Sequence, residues 1–284
     1  MIKLAAFADE ADASVDGQIQ ALKRNGIEYI EIRGVDGKNI SQLTEDEAKK
    51  YAKIYADGGI KVWSMGSPIG KVDIQDDFEE HKSLLLHICK LAKIFGTDKI
   101  RMFSFYNAFG EEEKVYARLS EMVKLAEDEG VRLYHENEKD IYGDTLEHVL
   151  KIMKNVSGLH YIYDPANYVQ VGENADDTIA ALVERTDYFH IKDVVADGGY
   201  MVPAGMGDGK IAKLLSCISS DTDTVLTLEP HLGLFKGYSD IDATELKTAK
   251  QYKDTHESFD VAANALKELL VQNGYKYNNG GYAK

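Results

Sequence analysis

Eight times in succession, the chain alternates between a short β-branched run and a longer amphipathic stretch. This is the pattern of repeated strand–helix units, because parallel neighbours in a sheet need a long crossover between them and a helix supplies it. The strand candidates are Ile2 to Ala8, Tyr29 to Arg33, Lys61 to Met65, Lys99 to Phe103, Arg132 to Glu136, Leu159 to Tyr163, Tyr188 to Lys192 and Thr224 to Leu228. Helices are predicted over Ser14 to Asn25, Thr44 to Asp57, Phe78 to Phe95, Glu112 to Glu129, Thr145 to Asn155, Asp177 to Arg185, Ile211 to Cys217 and Ser258 to Asn273. Eight units favour an α/β fold closed into a single (β/α)8 TIM barrel over an open doubly wound sheet, since closure leaves no strand edge. The length of 284 residues suits one such barrel with additions. The barrel is expected over residues 1–276 as one catalytic domain, with 277–284 as a flexible C-terminal tail that offers the core nothing.

Local signals agree with this division. The stretch from Phe78 places Leu84, Leu85, Ile88, Leu91, Ala92 and Phe95 on one stripe, as a helix laid against a barrel requires. Thr44-Glu45-Asp46-Glu47 reads as a capping box, and Asn25-Gly26 and Asp57-Gly58-Gly59 as helix stops. Two longer insertions follow strand C-termini, the face on which barrel sites are built. One is the glycine-rich stretch between Val194 and Lys210, and the other is the mostly polar segment after Glu229.

Charge narrows the partners. A net charge of −15 repels phosphate backbones and anionic lipid, so nucleic acid is disfavoured. No run approaches the roughly 18 apolar residues of a membrane helix, and Met1-Ile2-Lys3-Leu4-Ala5 lacks a leader pattern, so a cytoplasmic protein is expected. Cys89 and Cys217 read as two buried reduced thiols.

The candidate chemistry sits at the ends of the fifth to eighth strands. Glu136, Asp164, His190 and Glu229 each end or directly follow an apolar or β-branched run. Neighbouring strand ends of a barrel converge, so these four side chains can meet although far apart in sequence. Three carboxylates and an imidazole suit one divalent ion, with Mn favoured and Mg, Co, Fe or Zn also compatible. Without a cation, three gathered carboxylates could not all stay ionised.

The phrases His135-Glu136-Asn137-Glu138, Asp164-Pro165-Ala166-Asn167, His190-Ile191-Lys192-Asp193, Pro203-Ala204-Gly205-Met206-Gly207-Asp208-Gly209 and Leu228-Glu229-Pro230-His231 carry a resemblance. Together with Tyr29-Ile30-Glu31-Ile32-Arg33-Gly34, they resemble the xylose isomerase-like barrel superfamily, and within it the sugar phosphate isomerase/epimerase family. The resemblance implies that Glu136 and Glu229 both bind the metal and exchange protons with substrate carbon on opposite faces. Asp164 and His190 are then ligands only. It also implies an isomerase or epimerase acting on a small-molecule carbohydrate through a metal-stabilised enediolate, and, by analogy, a homodimer. Asn167 departs from ketose epimerases, which often carry a histidine three residues past the aspartate.

Around these four, Lys192 is expected to reach a substrate oxygen, and Glu138 and His231 to contact substrate or orient the ligands. Asn167 is a further candidate contact. Phe7 and Trp63, with Met65, are candidates for an apolar wall against a sugar ring, and core packing explains them equally well. Asp193 should face away from the site. Gly205-Met206-Gly207-Asp208-Gly209 lacks the strand and the acidic partner of a dinucleotide site and reads as a lid or phosphate-contacting loop. Ser104 and Ser216 have no recognisable base. Competing readings on the same scaffold are a metal-dependent lyase, dehydrating a keto-inositol or cleaving a C-glycoside, an abasic-site endonuclease, and an inactive sugar-binding protein. With 8 histidines and an acidic balance, the endonuclease reading fits poorly.

Overall fold

In the computed structural model, which describes residues 1–219, 223–238 and 245–284, eight parallel strands close on themselves. They are β1 (Ile2–Ala6), β2 (Tyr29–Ile32), β3 (Lys61–Met65), β4 (Lys99–Met102), β5 (Arg132–Glu136), β6 (His160–Tyr163), β7 (Tyr188–Ile191) and β8 (Thr224–Leu228). Closure is made by β1 against β8, in parallel register from Ile2 opposite Thr224 to Ala6 opposite Leu228. The helices packed outside are α1 (Val15–Arg24), α2 (Glu45–Asp57), α3 (Phe78–Phe95), α4 (Glu112–Asp128), α5 (Leu146–Asn155), α6 (Pro165–Gln170), α7 (Ala175–Leu182), α8 (Ile211–Cys217) and α9 (Thr255–Gln272). The main core lies between this ring and the sheet.

The capping box at Thr44 forms as its sequence requires: Thr44 Oγ1 accepts from Glu47 N at 3.2 Å, and Thr44 N donates to Glu47 Oε2 at 2.9 Å. The short helix α6 and three small hairpins were not apparent in the periodicity. Gly34–Val35 pairs with Lys38–Asn39, Asp193–Val195 with Tyr200–Val202, and Lys276–Asn278 with Gly281–Ala283. That last hairpin corrects the expectation of a loose tail with nothing for the core. Its Tyr282 pairs with Ile2 and is buried, so the tail extends the sheet beside β1. Of the polar segment after Glu229, residues 239–244 lie outside the described residues. The cysteines are both free, but Cys217 is exposed, contrary to the expectation of two buried thiols.

Inside the barrel the side chains are layered. A small apolar cluster of Ala5, Tyr134, Ile162, Tyr188 and Val225, with Tyr29 and Trp63 packed on it, fills one level. Trp63 therefore belongs to the barrel filling and not to a substrate wall. Its ring stands edge-on to Tyr29 and Tyr188, with the ammonium of Lys99, the first residue of β4, 4.5 Å from its centroid. From this level the Tyr188 hydroxyl donates to Glu31 Oε1 at 3.0 Å, and Glu31 starts a buried polar layer that leads to the C-terminal mouth.

Candidate metal centre

At the mouth, one ligand atom from each of Glu136, Asp164, His190 and Glu229 lies within 4.8 Å of the other three, and all four residues are buried. The strand ends deliver them. Glu136 is the last residue of β5, Asp164 follows β6, His190 is in β7 and Glu229 follows β8. His190 turns Nδ1 toward the carboxylates, 2.8 Å from Glu136 Oε1 and 3.2 Å from Glu229 Oε2. Its other nitrogen, Nε2, is 3.1 Å from Glu31 Oε2. Burial opposes a charge on His190, but Glu136 and Glu31 outweigh it and raise its pKa well above the ordinary imidazole value.

Asp164 is locked from its backbone. It caps α6, with Pro165 in the first helical position, and its Oδ1 accepts from Asn167 N at 3.0 Å. Asn137 holds the same turn from β5: its Nδ2 donates to Asp164 O and its Oδ1 accepts from Asp164 N, each at 2.9 Å. The remaining oxygen, Asp164 Oδ2, has no hydrogen-bond partner and faces Lys192 Nζ at 2.9 Å. Glu229 Oε2 is likewise without a hydrogen-bond partner, with Lys192 Nζ 4.0 Å away. Burial pushes Asp164 up to about 6 against the pull of Lys192. Burial also works against ionised Glu229, yet Lys192, His190 and His231 together hold it well below the usual carboxylate range.

Charged residues of this site escaped the sequence reading, Arg33, Arg101 and Glu31 among them. Arg33 lies buried with Nε 2.9 Å from Asp9 Oδ2 and Nη1 2.9 Å from Glu229 Oε1. Arg101 places Nη1 3.2 Å from Glu136 Oε2 and 3.9 Å from Glu229 Oε1. Glu31 accepts from Thr227 Oγ1 at 2.9 Å as well as from Tyr188. A signal for them existed, because Glu31 and Arg33, two apart, share one side of β2, and Arg101 interrupts the apolar β4. A charge on the inward register of a barrel strand is costly without a partner.

The proposed contact residues Lys192, Glu138, Asn167 and His231 all line one cavity at the mouth, together with Glu229, Arg101 and Lys71. Glu138 is paired there with Lys71 at 2.9 Å. Asn167 Oδ1 and His231 Nε2 have no hydrogen-bond partner, and the His231 backbone adopts φ 46°, a left-handed conformation that its N–H bond to Glu10 Oε2 at 2.8 Å helps to hold. Phe7 is absent from the cavity wall. Its fully buried ring lies below, with the Arg33 guanidinium 4.4 Å and the Arg101 guanidinium 4.9 Å from its centroid.

These residues fit a divalent cation. Seven carboxylates (Asp9, Glu10, Glu31, Glu136, Glu138, Asp164, Glu229) meet four side-chain cations (Arg33, Arg101, Lys71, Lys192) and the His190 imidazole around the site, so the acids still outnumber the bases. Two buried carboxylate oxygens without hydrogen bonds, Asp164 Oδ2 and Glu229 Oε2, lie 2.9 Å and 4.0 Å from the same Lys192 Nζ. A second group, Glu10, Glu229 and His231, also converges. There Arg33 already reaches both carboxylates, Glu10 Oε1 at 3.3 Å and Glu229 Oε1 at 2.9 Å, and supplies the positive charge.

Comparison with solved structures places the fold among known barrels. An L-ribulose 3-epimerase superposes with TM-score 0.74 at 15% identity, covering 96% of each chain. The probable 3-DHS dehydratase AsbF from Bacillus anthracis gives 0.71 at 17% identity, covering 94% of this chain and 99% of its own. An IolI protein with a bound zinc atom gives 0.71 at 16%, covering 95% of this chain and 99% of its own. Among curated proteins, a sequence comparison finds no match. The family model described as xylose isomerase-like TIM barrel matches residues 19–269, and with the closed eight-stranded fold this shows that the chain belongs to the xylose isomerase-like TIM barrel family.

Proposed function

We propose that the protein is a divalent-metal-dependent isomerase or epimerase of a small sugar or polyol, which works by moving a proton on and off carbon. The observation that carries this reading is the convergence of Glu136, Asp164, His190 and Glu229 within 4.8 Å at the barrel mouth. These four residues would hold the ion, with manganese favoured by the mainly oxygen donor set, and a bound ion supplies the charge that polarises a substrate carbonyl. Glu136 and Glu229 come from β5 and β8, with two strands between them, so they address a substrate carbon from two directions. One carboxylate takes the proton and the other returns it.

The rest of the cavity orients the substrate. Lys192 Nζ presents its protons to a substrate oxygen beside Asp164. Asn167 Oδ1, without a hydrogen-bond partner, is placed to take up a substrate hydroxyl beside His231, whose Nε2 stands 3.4 Å from Glu10 Oε1 and 3.5 Å from Glu229 Oε1, and the Lys71–Glu138 pair lines the same cavity. A substrate that satisfies these buried atoms is bound in one orientation, and that orientation decides which carbon meets the glutamates.

Asn167 favours a second reading, a lyase on the same site. The ketose epimerases that the chain resembles often carry a histidine here, whereas Asn167 spends its amide on Asn137 O at 2.8 Å. The solved dehydratase likeness fits that reading too. The test is a screen of free ketoses, sugar phosphates, inososes and C-glycosides with Mn in heavy water. Deuterium entering recovered sugar without an eliminated product supports epimerisation, and an unsaturated or cleaved product establishes the lyase. In either case Glu136→Gln or Glu229→Gln should lower turnover by about 10²- to 10⁴-fold with the fold retained. Wild-type rates in either variant would overturn the proposal.

A further inference from the structure

Phe7 follows β1 and is fully buried, and two guanidiniums and an imidazole stand against its ring. The Arg33 guanidinium, from the end of β2, is 4.4 Å from the ring centroid, and the Arg101 guanidinium, from β4, is 4.9 Å from it. The strand between β2 and β4 is β3, and the residue after it is Gly66. A Cβ on Gly66 would come within 2.6 Å of the Phe7 ring, so the glycine is what lets the ring seat between the two arginine-bearing strands. The ring also meets His190 edge-on, with centroids 5.2 Å apart.

Each guanidinium holds one of the two glutamates assigned to proton transfer. Arg33 Nη1 binds Glu229 Oε1 at 2.9 Å, and Arg101 Nη1 binds Glu136 Oε2 at 3.2 Å. Two guanidinium ions brought this close repel each other; the negative face of the one ring that both approach, together with Glu229 Oε1 at 2.9 Å from Arg33 Nη1 and 3.9 Å from Arg101 Nη1, offsets that repulsion. An aliphatic side chain of similar size would fill the volume without that attraction. One oxygen of each glutamate is thus held by a cation that also stands against Phe7, and the other oxygen faces His190 Nδ1.

We propose that Phe7, seated on Gly66, is a positioning residue that spaces the Arg33 and Arg101 guanidiniums and through them sets the separation of Glu229 and Glu136. The inference rests on the metal-centre reading above and adds a residue that touches neither ion nor substrate. The reporter is the visible absorption of cobalt(II) added to the metal-free protein, because band position and intensity follow ligand geometry. Phe7→Leu should bind one equivalent of cobalt and remain folded, but with bands shifted from wild type. Gly66→Ala, which drives a Cβ into the ring, should shift them in a similar way while keeping Phe7. Phe105→Leu, a buried phenylalanine beside His81 and away from the centre, should leave the spectrum at wild type. With an active substrate in hand, Phe7→Leu should lower kcat at least tenfold while KM changes less than threefold. An unshifted Phe7→Leu spectrum, or an equal shift in Phe105→Leu, overturns the spacing role alone. A wild-type protein that takes up no cobalt overturns the metal centre and this inference together.

Discussion

Glu31 illustrates how much of the centre is built by residues that do not face the cavity. Its two oxygens accept from Tyr188, Thr227 and, across 3.1 Å, His190 Nε2, so the imidazole keeps its second proton and offers Nδ1 to the carboxylates. Glu31→Gln should therefore weaken Mn affinity by about 10- to 100-fold with little loss of fold, read as the metal dissociation constant by titration. The four ligand candidates were legible in the sequence because each ends or follows an apolar run. Glu31, Arg33 and Arg101 were not, since they lie within strands, where a search for apolar alternation passes over the exceptions. Phe7 and Trp63 show the converse limit. An aromatic at or near a strand end reads as a substrate wall, but only the packing reveals that one ring lies under two guanidiniums and the other fills the barrel toward its N-terminal side.

At the scale of elements, strand and helix order followed from periodicity, whereas the loops that shape the mouth did not. Asp193 faces away from the site, in keeping with strand alternation after Lys192, and organises the glycine-rich loop. Its carboxylate accepts from Gly205 N at 2.8 Å and from Val194 N, Gly207 N and Gly209 N, each at 3.0 Å. That anchoring holds the hairpin Asp193–Val195 with Tyr200–Val202, whose Met201 lines the cavity. A local pattern of this kind is invisible to hydrophobic periodicity, because it is written in backbone amides. A Cβ at Gly207 would run into Asp193 Oδ1 and Val194 O, so Gly207→Ala should open the loop. The expected readout is faster amide hydrogen exchange over residues 196–209, with the protection of β5 unchanged.

For the whole molecule, stability has a pH dependence that does not involve the metal centre. His81, in α3, is buried and accepts from Gly70 N at 3.0 Å. Burial, with Arg118 nearby, pulls its pKa down to about 4. The unfolded chain, with an ordinary histidine near 6.5, binds a proton that the folded protein refuses. The stability this group contributes is thus present above about pH 6.5 and is lost as pH falls toward 4, by up to roughly 3 kcal/mol. Urea midpoints should fall between pH 7 and 5, and less so in His81→Gln. The C-terminal hairpin also contributes to the whole. Removing residues 276–284 uncovers Ile2 and deletes the buried Tyr282, and should cost about 1–3 kcal/mol, read as a lower Tm.

The pairing of β1 with β8 joins the first and the last strand of the barrel, Ile2–Ala6 against Thr224–Leu228. During synthesis the earliest strand to leave the ribosome must wait for the latest, so for most of translation the nascent protein is a curved open sheet with a bare flank. Such a flank templates pairing with other chains. A polypeptide stopped short of Thr224 should accumulate as aggregate, while the same residues continued through α9, whose Phe259, Leu266 and Leu270 complete the core, should yield soluble product. The seam therefore makes the arrival of the eighth strand the step that lets the barrel close.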